Sequence, residues 1–97
     1  MSLETFFETP VPSFNKEIRN RIRLSVYAYA YEFEDDSLIS DTEFDSLCIQ
    51  INPSESTGNR KMDNFFKKHF DPSTGMWIRK HPDLNGIKRV YEKYYKN

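Results

Sequence analysis

One cysteine, Cys48, is all that this chain of 97 residues contains, which excludes an internal disulfide framework and a cysteine zinc cluster. Three glycines are too few to build a Gly-rich phosphate loop. No apolar run approaches the ~18 residues that a membrane span requires, and Met1–Pro12 has no apolar block of the signal-peptide kind. Hydrophobic residues are only 37% of the chain against 30% charged, a balance that borders on disorder. The aromatic content decides against disorder: eight Phe, six Tyr and one Trp are present. Rings that each bury on the order of 150–250 Å² can build a small core from few residues. The expectation is one folded, soluble, cytoplasmic domain.

The net charge of −1 conceals a strong asymmetry. Residues 34–57 hold seven carboxylates and no lysine or arginine, whereas residues 58–97 hold ten basic side chains against four acidic ones. Either the two halves attract and help to compact the fold, or they are two binding surfaces of opposite sign.

Residues 1–12 read as an irregular arm broken by Pro10 and Pro12, with a short turn at Leu3–Phe7. Residues 13–97 read as a single helical domain. From about Ser13 the pattern is helical, with Ile18, Ile22, Val26, Tyr29 and Phe33 on one stripe. Leu24, Tyr27 and Tyr31 gather on the opposite side, so this helix is expected to lie between neighbours. Glu34-Asp35-Asp36-Ser37 ends it. Ser40 and Glu43 form an S-x-x-E capping box, flanked by an Ile39–Phe44 staple. Phe44, Leu47, Cys48 and Ile51 then mark the inner face of a short second helix, on which Cys48 is a buried small hydrophobe. A third helix is expected from about Arg60 to Phe70, with Met62, Phe65, Phe66 and Phe70 facing inward. Asp71-Pro72-Ser73-Thr74-Gly75 is a turn. A fourth helix is expected with Pro82 in its first turn, Asp83 complementing its dipole, and Leu84, Ile87, Tyr91 and Tyr94 on its apolar face. The class is all-α, three to four helices, divided into a helix pair over 13–52 and a basic part over 58–97.

Within the helix pair, Ile22-Arg23-Leu24-Ser25-Val26-Tyr27-Ala28-Tyr29-Ala30-Tyr31, an acidic loop, and Ile39-Ser40-Asp41-Thr42-Glu43-Phe44-Asp45-Ser46-Leu47 stand in order. This stretch of about 30 residues resembles the N-terminal helical subdomain of NAD-dependent DNA ligases, which binds the nicotinamide mononucleotide half of NAD. The resemblance implies a ligand-gripping set at Tyr31, Glu32, Asp41, Phe44 and Asp45. Two positions depart from the family: Glu32 stands where it has histidine, and Phe44 where it has tyrosine. The capping box and staple already account for Ser40, Glu43, Ile39 and Phe44, whereas Asp45, a like charge four residues after Asp41, has no local rationale. The residues themselves leave Tyr27 and Tyr31 as either packing or ring-stacking groups. They leave Asp41 and Asp45 as a solvated face, an interaction surface or a nucleotide site. No K-x-D-G nucleophile motif is present and the chain is too short for a nucleotidyltransferase domain, so no enzyme is expected.

Other constellations are thinner. His69 and His81 have no third ligand at metal-site spacing, and no metal is expected. Basic residues of the C-terminal part, including Lys67, Lys68, Arg79 and Lys80, are interleaved with Trp77, Tyr91, Tyr94 and Tyr95, a pattern that can neutralise phosphates and stack bases. A pI near 6.1 is low for a dedicated nucleic-acid binder. The first expectation is therefore a non-catalytic protein-interaction module, of the kind by which a phage or mobile element modulates a host protein. An NAD- or nicotinamide mononucleotide-binding sensor or sequestering protein is the alternative, and a nucleic-acid-binding accessory protein the second alternative.

Overall fold

Seven consecutive residues of the first helix, Leu24 to Ala30, are buried, and a helix buried on every side must have neighbours all round. The computed structural model describes residues 13–96, and for residues 13–15 the backbone alone. The arm expected over 1–12, with its turn at Leu3–Phe7, lies outside the described residues. Helix α1 spans Ser13–Glu34, α2 Asp41–Gln50, α3 Arg60–His69 and α4 Leu84–Tyr94, with a 3-10 helix at Met76–Lys80. The class is all-α, and no strand occurs among the described residues. Helix α1 is the central element, packed against α4, the 3-10 helix and α2. Ala28 and Ala30 sit at 1% and 0% exposure there; their small side chains allow the neighbouring backbones to approach.

The acidic run stops α1 as expected. Asp35 takes a left-handed conformation (φ 52°), which aspartate tolerates better than most residues, and the Asp36 amide donates back to the Ala30 carbonyl at 2.9 Å. The capping box at α2 forms as the sequence indicates: the Glu43 amide donates to Ser40 Oγ at 3.1 Å and the Ser40 amide to Glu43 Oε1 at 3.5 Å. Asn59 caps α3 by accepting from the Met62 amide. At α4 the cap is Asp83, which accepts from the Gly86 amide at 3.1 Å; the helix starts at Leu84, so Pro82 precedes the cap instead of lying in the first turn.

The core is aromatic. Phe65, Phe66, Phe70, Trp77 and His81 meet at ring separations of 5.1–6.1 Å, mostly tilted or edge-on, which the ring quadrupoles favour. Two ring positions correct the helical-face reading. Phe33 is 43% exposed, because α1 runs past the edge of the core; it stacks on Tyr29 at 5.2 Å. Tyr94 is 40% exposed and Tyr95 takes the packing role, meeting Tyr27 edge-on at 5.8 Å. Helix α4 ends at Tyr94, and the changed backbone direction at Tyr95 (φ −123°, ψ −24°) turns that ring inward.

A buried polar knot joins the two halves. Arg21, 3% exposed, donates from Nε to Glu17 at 2.7 Å, from Nη1 to Asp63 at 2.8 Å, and from Nη2 to the carbonyls of Asn52 and Glu55 at 2.9 and 3.0 Å. Its guanidinium lies 4.9 Å from the Phe66 ring centre. Glu17 also accepts from the Asn52 amide, and Asp63 from the amide and hydroxyl of Thr57. Burial would push the Asp63 carboxyl up, but the Thr57 hydrogen bonds and the Arg21 charge outweigh it and hold it below the ordinary range. The loop between α2 and α3 is thus tied to α1 by charge-assisted bonds. Among the described residues no lysine or arginine of the basic part pairs with a carboxylate of segment 34–57. The acidic segment instead accepts from core tyrosines: Tyr29 Oη donates to Glu34 at 2.9 Å and Tyr91 Oη to Asp36 at 2.8 Å. Both phenols are raised to about 12, Tyr29 mainly by burial and Tyr91 mainly by its bond to Asp36.

Candidate functional site

Three pieces of backbone converge beside the C-terminal half of α1. The capping box fixes where α2 begins, so Asp41 and Asp45, one turn apart, stand on a single face of that helix. The loop after Asp36 brings Leu38 in from below. The turn over 71–75 brings Gly75 against α1: a Cβ there would lie 3.3 Å from Phe44 Cζ and 3.6 Å from Ala28 Cβ, so the missing side chain permits the close approach. Between these pieces lies a cleft of about 320 Å³, near the lower limit for small-molecule sites.

Tyr27, Tyr31, Glu32, Asp41, Phe44 and Asp45 all line this cleft. Their environments differ in ways that matter chemically. Tyr27 is 7% exposed and forms part of the wall, whereas Tyr31 is 59% exposed. Phe44 is half-buried against the core. Asp41 and Asp45 are exposed, and neither they nor Tyr31 have a hydrogen bond or ion pair among the described residues. Glu32 is engaged: Arg79 Nε donates to its Oε1 at 3.1 Å. Sequence reasoning missed Leu38, Ser73, Thr74 and Gly75, which also line it. The turn itself was legible, but nothing local places it against α1.

The four basic candidates lie on two elements, and two of the aromatic residues interleaved with them in sequence are not at the surface. Lys67 and Lys68 are exposed on α3, and Arg79 and Lys80 on the 3-10 helix. Trp77 and Tyr91, read as interleaved with these charges, are buried at 4% and 3% exposure and belong to the core. Lys67 borders a second cavity of about 340 Å³, walled by the loop over 54–58 and the start of α3; its Asp63 is already saturated by Thr57 and Arg21.

Cys48 is 2% exposed and its thiol is raised to about 11, first by burial and then by Asp45 and Asp71, so it stays protonated. His81 is 7% exposed against Phe65, its Nδ1 accepts from the Asp83 amide at 3.0 Å, and burial lowers it to about 4 although Asp83 pulls the other way. It is a neutral packing group. No group of three or more His, Cys, Asp or Glu is placed to hold a metal among the described residues, and no helix among them is long and apolar enough to cross a membrane. Comparison with known protein families, with curated proteins and with solved structures returns no match.

Proposed function

We propose that this protein is a non-catalytic binding module whose cleft takes a nicotinamide mononucleotide-type ligand. The observation that carries the reading is convergence: Tyr31, Asp41 and Asp45, up to 14 positions apart in sequence and picked by resemblance, line one concave site, and none of the three has a hydrogen bond or ion pair among the described residues. Tyr31 offers a ring face for stacking, and the Asp41 and Asp45 carboxylates can accept from ribose hydroxyls or a carboxamide. Phe44 lacks the hydroxyl of the ligase family and Glu32 its imidazole. Two lost partners at about 2 kcal/mol each would turn micromolar affinity into roughly millimolar. The proposed role is that of a sensor in the cytoplasm, since millimolar affinity is too weak to sequester a scarce ligand. Calorimetry and an NMR titration with nicotinamide mononucleotide test it: saturable heats are expected, with shifts at Tyr31, Asp41 and Asp45. Flat heats and unmoved signals at millimolar ligand would overturn it.

A protein-interaction role is the second reading, favoured by Ile49 at 81% exposure and Met76 at 59%. Asp41, Asp45 and Ile49 follow at four-residue intervals along one face of α2. A host protein bound by a phage or mobile-element factor is a partner of this kind. Affinity capture on the intact chain, compared with a D41N/D45N/I49S variant, tests it; equal capture by both sinks this reading.

A further inference from the structure

The charge of this chain is segregated, and the fold does not spend it internally. Of the ten basic side chains over 58–97, Arg79 alone forms an ion pair among the described residues, and its partner Glu32 precedes the acidic segment. Two helices that pack on α1, burying Cys48 on one and Ile87 and Tyr91 on the other, carry much of the excess outward. Helix α2 holds Asp41, Glu43 and Asp45 and no base, whereas α4 holds Lys88, Arg89 and Lys93 against one acid, Glu92. The two patterns match. Asp41 and Asp45 stand one turn apart, exposed and without an ion pair among the described residues, and so do Arg89 and Lys93. Each dyad has an apolar neighbour left in solvent. Ile49, 81% exposed, follows Asp45 by one turn, and Tyr94, 40% exposed, has its ring centre 5.4 Å from Lys93 Nζ. The net charge of −1 leaves little repulsion between copies.

We propose that the outer face of α2 docks on the outer face of α4 of a second copy of this chain, with Asp41 and Asp45 on Arg89 and Lys93 and with Ile49 against Tyr94. Each molecule carries both surfaces, so a two-fold dimer pairs them reciprocally and a head-to-tail array pairs them in series. Exposed ion pairs contribute little each and are screened by salt, so the association is weak, reversible and confined to low ionic strength. This inference goes beyond the ligand reading and does not depend on it, because Ile49, Arg89, Lys93 and Tyr94 do not line the cleft.

Analytical ultracentrifugation of the intact chain up to about 1 mM tests it, at low salt and at about 0.3 M salt. The mean mass is expected to rise with concentration at low salt and to return to that of the monomer at the higher salt. D41K/D45K and R89E/K93E should each stay monomeric over the same range. Mixed one to one they should associate, because the first presents two basic surfaces and the second two acidic ones. I49S, which alters no charge, should weaken wild-type association several-fold. Where circular dichroism shows that a charge-reversed variant fails to fold, D41N/D45N or R89Q/K93Q takes its place and should weaken association in the same way. A wild type that stays monomeric at the highest concentration and low salt overturns the proposal and leaves the α2 face to a basic partner of another kind. Association that the dyad variants or I49S leave unchanged overturns it too, as does a mixture no heavier than its parts.

Discussion

Protonation of His81 is expected to be the first acid-driven threat to the fold. The ring is 7% exposed, packed edge-on against Phe65 at 5.1 Å, and its Nδ1 accepts from the Asp83 amide at 3.0 Å. An imidazolium there would lose hydration and would present an N–H where an acceptor is needed. In the folded protein the group titrates near 4, against 6.5 ordinarily. Above pH 6.5 both the folded and unfolded forms are neutral and His81 adds no pH dependence. As pH falls below 6.5 the unfolded chain takes up a proton that the native state refuses, so stability declines. The decline ends near pH 4, where the native ring protonates as well. Two and a half units correspond to about 3 kcal/mol, a large share of the ~5–15 kcal/mol that holds a small domain.

Urea denaturation followed by circular dichroism at pH 8, 7, 6, 5 and 4.5 measures this. Wild type should lose about 2 kcal/mol or more between pH 7 and 4.5. H81N keeps a side-chain acceptor for the Asp83 amide but cannot titrate; it should start less stable and lose far less over the same window. H69N, altering the exposed histidine, should follow wild type. The carboxylates held low by hydrogen bonds lose their stabilising contribution at lower pH, below the ordinary carboxylate range: Asp63 by Thr57 and Arg21, Asp71 by Ser73. A wild-type stability that is flat from pH 7 to 4.5, or an H81N variant with the same slope, would refute the reasoning.

Three further outcomes are expected. Arg21→Met strands Glu17, 4% exposed, beside an unpaired Asp63, and should cost about 3–5 kcal/mol in urea denaturation; a loss below about 1 kcal/mol would show that the knot is not supporting the fold. Ser40→Ala removes the α2 capping box and should cost about 1 kcal/mol, read as a lower melting temperature with faster amide exchange in Asp41–Gln50; an unchanged melt contradicts it. Duplex DNA should bind weakly or undetectably near physiological salt by fluorescence anisotropy, because the seven carboxylates of segment 34–57 repel phosphate and compete for the same lysines and arginines. Tight, salt-resistant binding abolished by alanine at Lys67, Lys68, Arg79 and Lys80 would promote a nucleic-acid role.

The parts of the fold legible in sequence are those set by local chemistry. Ser40 and Glu43 announce α2 because a capping box needs only four residues, and the acidic run after Phe33 stops α1 for reasons contained in the run itself. The 3-10 helix at Met76–Lys80 was not legible. Five residues carry no measurable period, Gly75 supplies no side-chain cap, and the segment is held by burying Trp77 and Ile78. The Arg21 knot was equally hidden. Glu17 and Arg21 stand one turn apart, a spacing common on solvated helix faces; what makes this pair a knot is Asp63, 42 positions from Arg21, and the Asn52 and Glu55 carbonyls. For the cleft, resemblance supplied Tyr31, Asp41 and Asp45, whereas the Arg79–Glu32 pair, 47 positions apart, required the tertiary structure.

That pair bears on how a site can change its chemistry without endangering its scaffold. The residues that hold the domain together, the aromatic cluster around Phe66 and the Arg21 knot, lie in the middle of α1 and against α3, and none of them lines the cleft. The cleft uses the last turns of α1 and the outer face of α2, where Tyr31, Asp41 and Asp45 are solvent-exposed and cost little when replaced. Glu32, Asp41 and Asp45 give the lining three carboxylates and no basic side chain. Arg79, on the 3-10 helix, donates to Glu32 and offsets its charge, which leaves the acidic balance of the lining to Asp41 and Asp45. Replacing Arg79 alone by a neutral residue should leave Glu32 uncompensated beside those two carboxylates, whereas replacing both partners by neutral residues should leave the lining no more acidic than it is.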